Sequence, residues 1–312
     1  DFRVRQYSRF VAACARAEPG SRIGEDEPGD PEHVAVSESL EEQAFRALTD
    51  KITRARGICC DAYKDRCLKR RIAVRMRARG VHSFADYSRV LDGDADEYDR
   101  LLDALTINVT KFFRNPETWA ALAPHLLECW RASAGAFVAW SAGCASGEEP
   151  YTVAIALADV VSRSPSPDRL ARARVIATDI DRISLARAQA ARYPATAFSE
   201  MPAALARRWL GPTAPDGTRA PVAAIRALVD VRRLDLTRER PPEAVAGLDL
   251  IVCRNVVIYF DRETQERLFQ AFAQALKPAG VLLLGKVETL LGPARDRLRL
   301  LDARERIYQR QA

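Results

Sequence analysis

Apolar residues recur every three or four positions across residues 40–132. This spacing is typical of amphipathic helices that bury one face. Gly57, Gly80 and Gly93 interrupt the pattern, and Pro116 stands where another helix would open. We therefore predict a helical region here, without strands.

The second half of the chain alternates short β-type runs with helical stretches. Five apolar or β-branched runs predict strands: Ala136–Trp140, Arg174–Thr178, Ala227–Val231, Leu248–Cys253 and Val281–Leu284. Helical stretches separate the first three runs, and another follows the fourth at 261–276. This alternation predicts an α/β fold with a Rossmann-like parallel sheet, preceded by a small all-helical domain. Residues 281–284 and 298–309 predict a terminal hairpin.

Length and composition narrow the class of protein. A chain of 312 residues predicts about two domains. Apolar residues make up 48% and charged residues 29%, which excludes a disordered or fibrous protein. Without an 18-residue apolar run or a signal-peptide pattern, we expect a cytoplasmic protein that does not insert into membranes. The seven cysteines include no Cys-x-x-Cys pair and the three histidines lie far apart, so we expect neither a disulfide framework nor a metal site.

Acidic residues are concentrated near the amino terminus. Residues 18–42 hold nine acids against one Arg, a local charge of −8, and are interspersed with Pro and Gly. Such a composition is typical of linkers, because it buries too little apolar surface to fold. We predict that residues 1–39 form a flexible acidic extension.

Basic residues are concentrated at 64–79, where eight bases accompany one acid, a local charge of +7. One helical face there is apolar, with residues four apart: Leu68, Ile72 and Met76. A different face carries three arginines: Arg66, Arg70 and Arg77. Two interpretations remain open, a solvated helix surface and a docking surface for an acidic partner. A nucleic-acid partner is disfavoured because no aromatic residues alternate with the bases.

A glycine-containing loop follows the first predicted strand. It lacks both the Gly-x-Gly-x-x-Gly pattern and the Gly-Lys-Ser/Thr ending of a Walker loop. Small residues at the carboxyl end of a strand let a ligand approach the backbone, which makes Gly143 a candidate contact. The adjacent acids Glu148 and Glu149 disfavour a pyrophosphate and indicate a cationic or hydroxyl-rich ligand.

Polar residues also follow the other predicted strands. Asp179 ends the second strand, where a carboxylate can accept hydrogen bonds from ribose hydroxyls, whereas we predict that Asp181 caps the next helix. Asp235 follows the third strand and is placed to meet an adenine edge. Arg254 and Asn255 follow the fourth. An adenosine-containing ligand with a charged tail fits these positions, and S-adenosylmethionine (SAM) is the natural candidate.

Four sequence blocks resemble the CheR family of chemotaxis-receptor glutamate O-methyltransferases. They are residues 108–114, 140–151, 177–181 and 253–261. The blocks Asn-Val-Thr-Lys-Phe-Phe-Arg and Cys-Arg-Asn-Val-Val-Ile-Tyr-Phe-Asp are the most specific. The resemblance covers about residues 40–311. It implies a helical amino-terminal domain at 40–115 and a SAM-binding methyltransferase domain at 116–312, with a small β-insertion near 193–230.

The resemblance also implies functional residues. SAM contacts are implied at Asn108, Thr110, Arg114, Glu148, Asp179, Asp235, Leu236, Arg254 and Asn255. The residues beside the transferred methyl group are implied to be Arg114 and Tyr259. Family members often have Asn at the position of Asp235. The implied partner is the acidic helical cytoplasmic domain of a chemoreceptor, for which we predict docking on the arginine face of the basic helix.

A glutamate acceptor explains why the sequence shows no His or Cys arrangement for proton transfer. The side chain has an unperturbed pKa of about 4.3, so at neutral pH it is already a nucleophilic carboxylate. Two alternatives remain open. One is a SAM-dependent methyltransferase with another acceptor, and the other is a non-catalytic SAM-binding signalling module.

Overall fold

The structure, a computed structural model, describes residues 31–105, 110–133, 137–163, 167–239, 241 and 247–311. Two compact units comprise residues 1–43 and 44–312. Most of the predicted acidic extension, residues 1–30, lies outside the described residues. Helix α1 (Pro31–Arg56) begins within the stretch for which we predicted a linker. Proline is favoured in the first turn of a helix and acidic side chains near its amino end, which explains the earlier start. None of the described helices has the length and apolar character needed to cross a membrane.

The predicted helical region continues with three shorter helices: α2 (Asp65–Ala78), α3 (Phe84–Gly93) and α4 (Ala95–Leu105). Helix α2 buries the predicted apolar stripe, which joins a core that also contains residues of the other three helices: Phe45, Leu48, Ile52, Tyr87 and Leu101. Ser83 caps α3 by accepting a hydrogen bond from the Asp86 amide at 3.1 Å. Apolar spacing therefore predicted this core.

A buried carboxylate connects α2, α3 and α4. Glu97 is fully buried and accepts hydrogen bonds from Arg75 Nε at 2.9 Å, Arg75 Nη2 at 2.7 Å and the Tyr87 hydroxyl at 2.8 Å. Burial by itself would raise the pKa of Glu97, but the bonds from Arg75 and Tyr87 hold it below the usual value. The carboxylate therefore stays ionised inside the helical core at neutral pH.

The described residues then form nine strands in chain order: β1 (Val138–Ala142), β2 (Arg174–Asp179), β3 (Tyr193–Pro194), β4 (Thr218–Arg219), β5 (Val229–Arg233), β6 (Leu248–Cys253), β7 (Leu276–Leu284), β8 (Leu298–Asp302) and β9 (Ile307–Arg310). Seven of them form one sheet in the order β5-β2-β1-β6-β7-β9-β8. Strands β5, β2, β1, β6 and β7 are parallel, and β9 and β8 continue the sheet antiparallel. Strands β3 and β4 pair separately. The predicted α/β class is confirmed. The terminal hairpin is formed by β8 and β9, both within or next to the predicted segment 298–309, and 281–284 pairs antiparallel with β9.

The main disagreement with the predicted strands concerns β7. We predicted a strand that starts at Val281, after a turn at Pro278 and Gly280, whereas β7 starts at Leu276. Its pairing with β6 is irregular between Leu248 and Leu250. Proline has no N–H to donate, so the strand passes Pro278 only by interrupting the regular ladder.

Helices cover both faces of the sheet. They are α5 (Pro116–Ala132), α6 (Glu148–Val161), α7 (Arg182–Ala190), α8 (Ala203–Trp209), α9 (Ala223–Arg226) and α10 (Arg262–Ala275). Alternate strand residues enter two separate cores, because successive side chains point to opposite faces. Val175 and Leu250 pack with α5 and α6, whereas Ile176 and Ile251 pack with α10.

The order of the strands predicts where a ligand binds. The chain proceeds from β1 to β2 and β5 on one side, then from β6 to β7 on the other. The direction therefore reverses between β1 and β6. In sheets of this kind, ligands bind beyond the carboxyl ends of the strands at such a reversal.

The Glu97 contacts predict a stability effect. Replacing Glu97 with Gln should lower the free energy of unfolding by about 3 kcal/mol at neutral pH, because it leaves the Arg75 guanidinium without its counter-charge. Since the folded pKa of Glu97 is depressed, its contribution is present above the unfolded pKa of about 4.3 and is lost as the pH falls through the folded value. Urea unfolding at several pH values measures both effects.

Asp92→Asn is the matched control, because Asp92 pairs with Lys51 while 66% exposed. A Glu97→Gln effect no larger than that of this control would contradict the prediction.

Candidate active site

A cleft of about 970 Å³, open to solvent, lies beyond the carboxyl ends of β1, β2 and β6. The sheet domain supplies most of the lining, and the helical region contributes Tyr63, Arg71 and Leu105. The cleft therefore lies where the two regions meet.

The structure brings together nine of the predicted site residues: Thr110, Arg114, Gly143, Asp179, Asp235, Leu236, Arg254, Asn255 and Tyr259. Asn108 lies outside the described residues. Of the two adjacent acids, both of which are described, Glu149 lines the cleft, whereas Glu148 accepts a hydrogen bond from Ser146 Oγ at 2.7 Å beside it. The roles of these residues in binding or catalysis stay predictions.

Gly143 is required by the close packing of two loops. Its φ is +82°, and a Cβ at this position would lie 2.5 Å from a methyl carbon of Val256. The amides of Gly143 and Cys144 both donate to the Thr178 carbonyl, at 2.8 and 2.9 Å. A side chain at position 143 would therefore separate the loop after β1 from the loop after β6.

Asp179 is held by the backbone around it. Its carboxylate accepts hydrogen bonds from the amides of Ala145 at 2.8 Å and Asp181 at 3.0 Å. Burial raises the pKa of Asp179, and these backbone bonds oppose that shift. Asp181 caps α7 by accepting from the Ile183 amide at 2.9 Å, which confirms its predicted capping role. Asp179 therefore remains as the cleft-lining acid of the pair.

Asp235 has one oxygen without a partner. Oδ1 accepts from the Thr237 amide at 2.8 Å and the Thr237 hydroxyl at 2.6 Å. Oδ2 is buried and has no hydrogen-bond partner among the residues that the structure describes. A buried acceptor left in this state costs about 1–3 kcal/mol, so the position suits a hydrogen-bond donor on a ligand.

Opposite charges meet at another part of the cleft. Glu149 is half-buried and accepts a hydrogen bond from Ser141 Oγ at 2.9 Å. Burial raises the pKa of Glu149 to about 7, against the opposing effect of Arg254. The Arg254 guanidinium donates to the Arg114 carbonyl at 3.0 Å and to Asn115 Oδ1 at 2.8 Å. Its Nε is buried and finds no partner within the described part of the chain. This region can receive a group that carries both an ammonium and a carboxylate.

A second buried acid fixes the loop that carries Tyr259. Glu288 accepts hydrogen bonds from three backbone amides, those of Gly285 at 2.6 Å and of Asn255 and Val256 at 2.9 Å each. Asn255 has a φ of +61°, an uncommon conformation that these bonds stabilise. We did not predict this role of Glu288, because the acid and the loop lie more than 30 residues apart.

Hydrogen bonds connect the helical region directly to the same loop. Tyr63 and Phe260 form an isolated antiparallel bridge, with their rings 5.0 Å apart. The Lys64 amide donates to the Tyr259 carbonyl at 3.0 Å, and Lys64 Nζ donates to the Ile258 carbonyl at 2.9 Å. The start of α2 thus fixes one side of the cleft.

Arg71 is a cleft residue that the sequence analysis missed. It was counted among the bases of the 64–79 helix, but it is only 5% exposed. One Nη donates to the Leu105 carbonyl, and the guanidinium carbon lies 4.0 Å from the centre of the Tyr259 ring. The sequence spacing could have predicted this position. Arg71 follows Leu68 by three residues, which places it beside the apolar face of the helix.

The three arginines predicted to bind a partner are exposed on α2: Arg66, Arg70 and Arg77. The local charge of +7 does not, however, describe this outer surface. Arg71 faces the cleft and Arg75 pairs with Glu97, so two of the eight positive charges point inward. The outer surface of α2 is correspondingly less basic than the sequence predicted.

Comparison with known proteins identifies the domains. The family model described as "CheR methyltransferase, SAM binding domain" matches residues 108–307, and "CheR methyltransferase, all-alpha domain" matches residues 43–106. Two relatives are a chemotaxis protein methyltransferase of Klebsiella aerogenes and chemotaxis protein methyltransferase 2 of Pseudomonas aeruginosa, each 34% identical. The first alignment covers 82% of this chain and 87% of the relative, and the second 79% and 86%.

The fold, the cleft and these matches define a SAM-dependent methyltransferase. The matches to both domain models, together with 34% identity over most of the chain, also identify the family within this class. The chain belongs to the CheR methyltransferase family.

The raised pKa of Glu149 predicts pH-dependent binding of S-adenosylhomocysteine. Binding should strengthen as the pH rises from about 6 to 7.5, since only the ionised carboxylate attracts the ligand's ammonium group. Glu149→Gln should weaken binding and remove this dependence. Calorimetry in buffers of different ionisation enthalpy measures both the affinity and the proton released.

Glu148→Gln is the matched control for the adjacent acid. If that variant loses the pH dependence while Glu149→Gln keeps it, the assignment to Glu149 is wrong and the original prediction for Glu148 is supported.

Proposed function

We propose that this protein transfers a methyl group from SAM to glutamate side chains in the cytoplasmic domains of chemoreceptors. The products are glutamate methyl esters and S-adenosylhomocysteine. The observation that carries the proposal is a cleft lined by Arg114, Tyr259 and most of the predicted SAM contacts. The names of the relatives, chemotaxis protein methyltransferases, support this acceptor class.

Unpartnered atoms in the cleft fit the chemistry of SAM. Asp235 Oδ2 accepts no hydrogen bond from the described residues, and the adenine amino group of SAM would donate one to it. Arg254 Nε donates no hydrogen bond to the described residues, and the carboxylate of the methionine part of SAM would accept one from it. Glu149 lies close enough to Arg254 for their charges to interact, which suits the neighbouring ammonium group. Asp179 would accept hydrogen bonds from the ribose hydroxyls.

Methylation of a carboxylate needs positioning rather than proton transfer. When bound, SAM supplies a methyl group whose C–S bond breaks toward sulfur as the carboxylate oxygen donates the electron pair of the new C–O bond. Arg114 would orient the carboxylate, because a guanidinium can bond both oxygens. The Tyr259 hydroxyl would donate a hydrogen bond near the reacting atoms. Placing two reactants at near-attack distance can contribute about 7–11 kcal/mol.

The acceptor would dock on the outer face of α2. The exposed arginines Arg66, Arg70 and Arg77 suit an acidic helical bundle, and opposite potentials accelerate encounter and set orientation. The proposal includes neither a nucleic-acid partner nor insertion into a membrane. It does place the enzyme in the cytoplasm, where the receptor domains are.

The proposed chemistry predicts a particular product. Protein mixed with methyl-labelled SAM and a purified chemoreceptor cytoplasmic fragment should give labelled fragment whose label is released by mild alkali, as expected of a carboxyl ester. Arg114→Ala and Tyr259→Phe should each lower turnover by about 100-fold. Circular dichroism should show that both variants stay folded.

Three other outcomes would contradict parts of this proposal. Alkali-stable label would indicate another acceptor group. Binding of S-adenosylhomocysteine without turnover on any acceptor would indicate a signalling module. Wild-type turnover in both variants would show that Arg114 and Tyr259 do not serve the reaction.

The docking prediction concerns the outer face of α2. Removing Arg66, Arg70 and Arg77 together should raise the KM for the receptor fragment by about tenfold at low salt, because long-range attraction is lost. The affinity for SAM should not change. Wild-type activity should fall as the ionic strength passes about 0.1 M, where charges are screened beyond about 10 Å.

A second triple variant removes the same charge elsewhere: Arg163, Arg262 and Arg304, each at least 75% exposed. An equal rise in KM in this control would show that net charge matters rather than the α2 surface. Weakened SAM affinity in the α2 variant would place that helix face at the cofactor instead.

A further inference from the structure

The backbone on both sides of Arg114 has an uncommon conformation. Phe113 has a φ of +54° and Asn115 a φ of +60°. Residues other than glycine rarely adopt a positive φ, and they keep it only where surrounding contacts stabilise it. Arg114 stands between these two residues and lines the cleft. The direction of its side chain therefore depends on the contacts that hold this backbone.

The peptide group between Arg114 and Asn115 is held at both of its ends. Its carbonyl, that of Arg114, accepts hydrogen bonds from Trp119 Nε1 at 3.1 Å and from the Arg254 guanidinium at 3.0 Å. Its N–H, that of Asn115, donates to Glu200 Oε2 at 2.8 Å. Because a peptide group is planar, bonds at both ends fix its rotation and with it the φ of Asn115.

Glu200 holds this peptide group from outside the cleft. It lies in the turn between β3 and α8 and does not line the cleft. Its Oε1 also lies 3.4 Å from Lys111 Nζ, but both side chains of that ion pair are partly exposed, so the pair contributes little. The bond from the half-buried Asn115 to a charged acceptor is the stronger contact.

The turn that carries Glu200 is itself packed against the segment before Arg114. The Phe112 amide donates to the Ala197 carbonyl at 3.0 Å. The Phe112 ring is fully buried, and its centre lies 4.6 Å from that of Phe198 and 4.9 Å from that of Tyr193. These contacts fix the distance between the turn and the segment, so the Glu200 carboxylate meets the Asn115 amide in a defined geometry.

We propose that Glu200 is a positioning residue for methyl transfer, which orients the Arg114 side chain by holding the Asn115 amide. This inference rests on the proposed function, in which Arg114 orients the acceptor carboxylate. Without an acceptor atom at position 200, the Asn115 amide would lose its partner and Asn115 could return to a common, negative φ. The Arg114 guanidinium would then adopt several directions instead of the one that meets the carboxylate.

The test measures single-turnover methylation of a receptor cytoplasmic fragment at saturating SAM and saturating fragment, which isolates the reaction step from binding and product release. Glu200→Ala should lower this rate by about tenfold, because a small misplacement of a positioned group can cost up to about 100-fold. Circular dichroism checks that the variant is folded.

Two conservative variants separate the hydrogen bond from the charge. Glu200→Gln keeps an oxygen at the same reach for the Asn115 amide and loses only the exposed pair with Lys111, so its rate should stay within about twofold of the wild type. Glu200→Asp keeps the charge but is one methylene shorter, so it should lose as much as Glu200→Ala. This pair of variants decides the question if Glu200→Ala does not fold.

A double-mutant cycle tests whether Glu200 acts through Arg114. Adding Glu200→Ala to Arg114→Ala should lower the rate by no more than about twofold further, since the side chain to be oriented is already absent. Independent losses would instead multiply, to about 1,000-fold for the double variant. A merely structural role of Glu200 would give this second result.

Asp216→Ala is the matched control, because Asp216 is an acid of the same small sheet. It accepts a hydrogen bond from the Thr218 amide at 2.9 Å at the start of β4 and is 56% exposed. This variant should keep the wild-type rate. An equal loss in it would show that loosening of the small sheet, rather than the Glu200 bond, slows the reaction.

The proposal would be overturned by a wild-type rate in Glu200→Ala, by multiplied losses in the double variant, or by a Glu200→Gln rate as low as that of Glu200→Ala. Each of these results would leave the proposed function intact, because the wild type would still methylate the fragment. A wild type that does not methylate it would overturn both.

Discussion

The junction between the start of α2 and the loop after β6 determines the geometry of the cleft. The Tyr63–Phe260 bridge and the bond from the Lys64 amide to the Tyr259 carbonyl fix the helical region against the sheet domain. Without them, Tyr259 would lie at the end of an exposed loop and Arg71 would face water. A sheet edge alone can bind a ligand, and the helical region adds a wall to one side of the cleft through Tyr63, Arg71 and Leu105. Electrostatic contacts gain strength where water is excluded.

Buried charges have two different environments in this protein. Glu97 and Glu288 receive several hydrogen bonds from the chain itself, and each stabilises a local structure, the helical core or the Tyr259 loop. Asp235, Arg71 and Arg254 each keep at least one buried polar atom without a partner. Since such atoms destabilise the folded chain, their presence in one cleft suits the binding of a ligand whose polar groups pair with them. The unpartnered atoms would then lower the stability of the free protein and be paired when a ligand binds.

Much of the fold could be predicted because its signals are local. Apolar residues three or four apart predicted the helical core, and short β-branched runs predicted the parallel strands that carry the site. The starts of strand β7 and of helix α1 were placed too late, since β7 continues through Pro278 by an irregular pairing and α1 begins within an acidic stretch. In both cases a strand or helix contains residues that normally interrupt regular secondary structure. Local composition indicates a secondary-structure preference, but packing against neighbouring elements determines the structure that forms.

The sequence by itself determined the parallel sheet and the residues at its strand ends, such as Asp179, Asp235 and Arg254. Polar side chains that end parallel strands must share one edge, so their meeting followed from the pattern. Only the tertiary structure decided that Glu149 lines the cleft, that Glu288 holds the Tyr259 loop and that Arg71, one of the bases of α2, faces inward. The period of apolar residues predicts which face of a helix or strand is buried. It does not predict which residues pack against that face, because these come from a distant part of the chain. For Arg71 that partner is Tyr259, which is 188 residues away in the sequence.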